Sequence, residues 1–231
     1  MSNFTNSPLV VHTRLSPNRN SPRNQPIRKI TIHHWAGVST IENIGAFLAN
    51  PDRRASYNYG IGNDGRVALY VNERDRSWAS SSGANDHQAV TIGVCNSATG
   101  GNWPVSDRAY AALIDLCEDI CRRNGIPRLV YDGTANGTLT RHNMFANTTC
   151  PGNFLQRRFP AIAEEVNRRL GAAPQPEPPQ RTPEEITVDN AVADGLITDR
   201  AHWLGVLTGN ITPVRGNIKR LIDNAHEIIN R

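Results

Sequence analysis

Residues 30–37 read ITIHHWAG, an alternating apolar run that stops at two adjacent histidines, His33 and His34. Lys29 to His33 are bounded by polar residues and rich in β-branched side chains, the composition and period of a strand. Two readings compete for its end. Either the strand delivers a metal ligand to a site, or it is a core strand whose imidazoles are neutral and hydrogen-bonded at the rim.

Working outward, helical and strand periods take turns. In STIENIGAFLAN (39–50), Ser39 followed by Glu42 gives a capping-box start, and Ile41, Ile44, Phe47 and Leu48 share one helical face. YNYGIGNDGRVALYV (57–71) reads as two strands around Asn-Asp-Gly, residues that tolerate positive φ. AVTIGVC (89–95) is almost continuously apolar, as expected of a central strand buried on both faces. A long amphipathic helix follows from the Ser106 cap to Gly125, and a last one begins near Phe159 and Pro160. The order β, α, β-hairpin, β, α, β, α predicts an α/β fold with a mixed central sheet flanked by helices.

The remainder of the 231-residue chain is organised differently. Residues 171–185, GAAPQPEPPQRTPEE, are proline-rich and lack apolar periodicity, so 171–181 reads as an extended linker between a domain at 1–170 and a module at 182–231. In that module three helices are expected, opened by Thr182 with Pro183, by Thr198, and by Thr212 with Pro213, and closing a small three-helix core. The charge is uneven: residues 1–170 carry 19 Lys and Arg against 13 Asp and Glu, while 181–231 carry 6 against 7. This arginine-rich excess suits anionic polymers, but no dense basic run interleaved with aromatics marks a nucleic-acid surface. No stretch reaches the length of a membrane span. The first residues lack a secretory signal, so the expectation is synthesis in a cytoplasm.

A second constellation bears on the histidine question. In LTRHNMFANTTCPGNF, His142 stands eight residues before Cys150. Imidazole and thiolate are zinc ligands, and three protein ligands with one open position are what a catalytic zinc needs. Two histidines and one cysteine would supply them. Cys117 and Cys121, four apart on one helix with no histidine nearby, read as core, as does Cys95. Trp35 and Trp78 line a groove or simply pack, and His87 is expected to be exposed in a polar loop.

The blocks ITIHHWAG, SYNYGIGNDGRV, AVTIGVCNSATGG and RHNMFANTTCPG stand in the order and spacing of the zinc-dependent N-acetylmuramoyl-L-alanine amidases of the type 2 family, which share a fold with the peptidoglycan recognition proteins. The resemblance covers about residues 25–170, and within the family the chain looks like a bacteriophage endolysin or a closely related autolysin from a Gram-positive host. It implies His33, His142 and Cys150 as zinc ligands and Tyr57 as the active-site tyrosine. Thr148 falls where relatives carry lysine or threonine near the oxyanion. His34, on the opposite face of the strand, falls outside the ligand set. Some relatives place a catalytic glutamate on the central strand, where this chain reads TIGVCN with Cys95. A carboxylate base is therefore missing there.

The resemblance further implies cleavage of the amide between N-acetylmuramic acid and L-alanine by zinc-activated water, at the bacterial cell wall. For the helical tail it suggests attachment to cell-wall polymer, with dimerisation as the other reading. The alternatives to the lysin are a peptidoglycan-binding module without catalysis and a cytoplasmic muropeptide-recycling amidase.

Overall fold

The computed structural model describes residues 4–172, 183–193, 197, 199–210 and 219. The chain forms two compact units, Met1–Gln175 and Pro176–Arg231.

In the first unit a six-stranded sheet has the order β1-β5-β4-β7-β3-β8. Its strand β3 (Lys29–His34) is paired in parallel with the central β7 (Ala89–Val94) from Lys29↔Ala89 to His34↔Val94. On the other side of β3 lies β8 (Leu139–Arg141), also parallel. β4 (Tyr59–Ile61) and β5 (Val67–Leu69) form the expected antiparallel hairpin. Its turn needs Gly65 at φ +85°, where a side chain would be strained. β1 (Val10–Thr13) adds an edge strand parallel to β5.

Alternation gives the sheet two unlike faces. Ile30, Ile32, Val90, Ile92, Val94, Tyr59 and Ile61 belong to one buried cluster. This cluster includes Leu113, Leu116, Cys117, Ile120 and Cys121 of α3 (Asp107–Asn124), Leu155 of the one-turn α4 (Asn153–Gln156), and Phe159, Ile162 and Val166 of α5 (Phe159–Leu170). The other face is polar where it is closed: Thr31 and Thr140 exchange a hydroxyl contact at 2.9 Å, and Ser77 and Thr91 another at 2.7 Å. Beyond them it is bare, with Gly60 and Gly93 side by side in the register.

α1 (Ile41–Leu48) covers part of this second face with Ile41, Ile44 and Leu48. Two details differ from the expectation. The cap is Thr40, whose hydroxyl accepts from Asn43 N, while Glu42 turns to Arg66 at 2.6 Å. Phe47 is 38% exposed and carries the Arg53 guanidinium 3.9 Å above its ring. An eight-residue helix buries the narrow stripe at i, i+3 and i+7, and Phe47 lies at its margin.

The sequence pattern did not reveal β1, β2 (Arg19–Asn20), β6 (Arg76–Ser77) or α2 (Gly83–Gln88). The last has no apolar stripe; it is held by the Ser82 cap and by buried Asp86. His87, expected in an exposed loop, is half-buried on this helix, and its Nδ1 accepts from Asn24 N at 3.1 Å. α3 begins and ends as predicted, at the Ser106 cap and at Gly125 with φ +66°.

In the second unit, α6 (Pro183–Ala193) and α7 (Arg200–Leu207) correspond to the first two expected helices. α7 is capped by Asp199, whose carboxylate accepts from His202 N. The expected third helix, most of the linker and Thr198 lie outside the described residues.

Glu73 shows what ties the sheet to α3. Fully buried, its carboxylate accepts from Tyr59 Oη and Arg123 Nη2, both at 2.6 Å, and from Asn124 Nδ2 at 2.9 Å. Breaking such a buried set strands its donors. Glu73→Ala should therefore cost about 3 kcal/mol, read as a lower urea midpoint with unchanged slope.

Candidate metal centre

The side chain of His33 leaves the carboxyl end of β3 on the polar face, where the adjacent position on β7 is Gly93. β8 ends one residue before His142, which opens a short 3₁₀ turn at His142–Met144 and places its ring centroid 4.6 Å from that of His33. The loop then folds back, with Asn143 N donating to Cys150 O at 3.1 Å. This return brings Cys150 Sγ to 3.8 Å from His33 Nδ1. Ligand-capable atoms of His33, His142 and Cys150 all lie within 4.8 Å of one another. Among the described residues, no other group of three or more His, Cys, Asp or Glu is so arranged.

Two observations say that this cluster suits a cation. His33 Nε2 and His142 Nε2 are buried without a hydrogen-bond partner. Leaving a buried polar atom unpaired costs on the order of 1–3 kcal/mol. The electrostatics agree. Burial, reinforced by His142 and His34, holds His33 well below the ordinary histidine range. Burial also lowers His142, with the Asp86 carboxylate opposing. Both rings are thus neutral at pH 7 and offer lone pairs. Burial pushes the Cys150 thiol up to about 12, against a backbone N–H from His34 at 3.4 Å from its sulfur. The sulfur stays protonated until a cation displaces the proton.

Tyr57 precedes β4 and sets its ring 5.1 Å from that of His33. Burial, then Cys150 and Cys95, raise its phenol far above the usual range, so Tyr57 is a donor at neutral pH. Its hydroxyl makes no hydrogen bond to another described residue. Thr148 is half-buried, and its hydroxyl accepts from Cys150 N at 3.2 Å. It therefore sits at the base of the cysteine loop.

The neighbours fall elsewhere. His34 occupies the opposite face, edge-on to Trp103 at 5.0 Å, and burial lowers its pKa to about 4. The Cys95 thiol donates to Ser39 O at 3.2 Å and packs with Ile41 and Ile44. The residue abreast of His33 on the central strand is Gly93, and Cys95 follows two residues later, just past the end of that strand. Trp35 packs edge-on against Phe47, and Trp78 Nε1 donates to Asn20 Oδ1. Sequence reading missed Asp86, a buried carboxylate that accepts from Ser80 Oγ at 2.6 Å and acts on His142.

Solved structures with this fold include the PlyG catalytic domain (TM-score 0.53, 18% identity, 71% of this chain and 98% of that one). A mutant endolysin from Bacillus subtilis matches with TM-score 0.52 and 15% identity, over 67% of this chain and 97% of that one. The Staphylococcus aureus hydrolase AmiA, in complex with its ligand, matches with TM-score 0.53 and 17% identity, over 71% and 87%. No curated protein sequence matches the chain. The family model described as N-acetylmuramoyl-L-alanine amidase matches residues 23–153, more than half of the chain and the whole of the His33, His142 and Cys150 cluster. The chain belongs to the N-acetylmuramoyl-L-alanine amidase family.

Proposed function

We propose that this enzyme is a zinc-dependent peptidoglycan hydrolase that cleaves the amide between the lactyl group of N-acetylmuramic acid and L-alanine, and that it serves as a phage endolysin against a Gram-positive host. The observation that carries this reading is the convergence of two neutral imidazoles and a thiol inside the segment matched by the amidase family.

The donor set fits zinc. Bonds of about 2.1 Å to nitrogen and 2.3 Å to sulfur in a tetrahedral site require ligand separations of roughly 3.3–3.8 Å. The 3.8 Å between Cys150 Sγ and His33 Nδ1 is already at that edge. When bound, zinc would supply Lewis acidity that polarises a carbonyl and acidifies water. His33, His142 and Cys150 would hold it, with the buried sulfur neutralising part of its charge.

Tyr57, protonated at neutral pH, donates from its hydroxyl to the carbonyl oxygen that gains charge as water adds to the lactyl carbon. Thr148 accepts the Cys150 N–H and keeps its own proton free for the same oxygen. Collapse breaks the C–N bond, and the proton given up by the added water goes to the departing alanine amine.

Cys150→Ala should lose zinc and activity together. In the wild type, both imidazoles are neutral above pH 7 and only the thiol must lose a proton. Apparent zinc affinity should therefore rise about tenfold per pH unit from pH 7 to 9, measured by competition with a chromophoric chelator. A flat profile would show that Cys150 is not a ligand.

Tyr57→Phe should keep fold and zinc while lowering kcat by about 10²-fold, the scale of one lost oxyanion donor. The release of alanine amines from purified sacculi is the measurement. Wild-type turnover would make Tyr57 a packing residue.

The module at 182–231 would hold the enzyme on cell-wall polymer, raising local substrate concentration through its tether. Among the described residues no helix is long and apolar enough to cross a membrane. A chain ending at Pro178 should still cleave soluble muropeptides but lyse whole cells more slowly. If instead it merely changes a dimer into a monomer, the module is an oligomerisation element.

A further inference from the structure

The polar face of the sheet contains a trough made by two glycines. Gly60 on β4 and Gly93 on β7 are register partners, and Gly93 is in turn abreast of His33. Two tyrosine rings lie in this trough. A Cβ on Gly60 would come within 2.4 Å of the Tyr70 ring, and a Cβ on Gly93 would meet Cδ2 and Cε2 of Tyr57 at 2.6 Å each. Both distances are shorter than carbon atoms tolerate, and neither glycine is one that its backbone conformation demands. Gly93 lies within a regular strand, and its φ is not positive.

The rings differ in what their hydroxyls do. Tyr70 donates to Ile41 O at 2.7 Å and so locks α1 against the sheet. Tyr57, one strand closer to His33, makes no such bond to another described residue. One tyrosine is spent on structure; the other ends beside the metal cluster with a free donor.

We propose that Gly93 is a positioning residue for the amidase reaction. Its missing side chain is the slot that lets the Tyr57 ring lie flat on the central strand, and that placement aims the phenol at the reacting oxygen. Any side chain at Gly93 would push the ring off the strand and shift its hydroxyl, while His33, His142 and Cys150 keep their places. A rigid ring so displaced loses its hydrogen-bond geometry. The proposal rests on the assignment of Tyr57 as the donor.

The test is a double-mutant cycle on the full-length, zinc-loaded protein with Gly93→Ala, Tyr57→Phe and their combination. Gly93→Ala should retain one zinc per chain and lower kcat at least about tenfold, with KM changed less than twofold. In the Tyr57→Phe background, where no hydroxyl remains to be misplaced, Gly93→Ala should change kcat by less than twofold. Equal losses in both backgrounds, or wild-type kcat in Gly93→Ala, would overturn the positioning role while leaving Tyr57 as donor. Wild-type kcat in Tyr57→Phe would overturn both assignments.

Thermal unfolding supplies a readout independent of turnover. Gly93→Ala should lower the melting temperature in the wild type, where the added methyl meets the ring, and not in a Tyr57→Ala background, where the ring is gone. The same drop in both would show that the methyl clashes with something else, and the slot would not be Tyr57's. Should Gly93→Ala alone fail to fold, recovery of the fold in the Tyr57→Ala background supports the slot, and failure there overturns it.

Discussion

Everything in the catalytic unit depends on the pairing of β3 with β7 along the whole length of both strands. That register, unbroken from Lys29 to His34, fixes which side chains share a face. A slip of one residue would exchange the buried isoleucines for threonines and turn His33 into the apolar core. Because Ile30 and Ile32 are fully buried among α3 and α5, the slip is energetically closed. The hydrophobic pattern of one face therefore sets the position of the chemistry on the other.

The cluster is prepared for a cation by desolvation more than by charge. Among the described residues no carboxylate joins His33, His142 and Cys150 in the cluster; the one acting on it is Asp86, opposing the lowering of His142. Burial keeps both imidazoles neutral and the thiol protonated, so the cluster carries no net charge at pH 7. It holds two buried imidazole nitrogens without hydrogen-bond partners. The same burial keeps the Tyr57 phenol protonated, which makes it a donor and unfits it as a base.

Much of this was legible in the sequence, because the informative elements are regular. The alternation in ITIH, the Asn-Asp-Gly turn, the apolar run of β7 and the capped stripe of α3 each point to one local structure, and each forms. Elements that lack a pattern of their own escaped: β1, β2 and β6 are short strands defined by partners far along the chain, and α2 has a helix without an apolar face. His33, His142, Cys150 and Tyr57 come together, but from residues alone the histidine pair stayed ambiguous until His142 and Cys150 were considered. Gly93 was passed over because a glycine announces nothing until its neighbour's ring is seen lying on it.

The bond from His34 N to the sulfur of Cys150 has a meaning beyond the cluster. Along β3, Ile30 N donates toward β8, and Trp35 N donates to β7, so the amide of His34 faces the side on which β8 has already ended. The thiol stands where the next carbonyl of that strand would have been. Cys150 thus serves as the last rung of the sheet, contributed by a residue that is not in it. Oxidation or alkylation of this sulfur would remove the acceptor of the His34 amide and so loosen the strand end that bears His33.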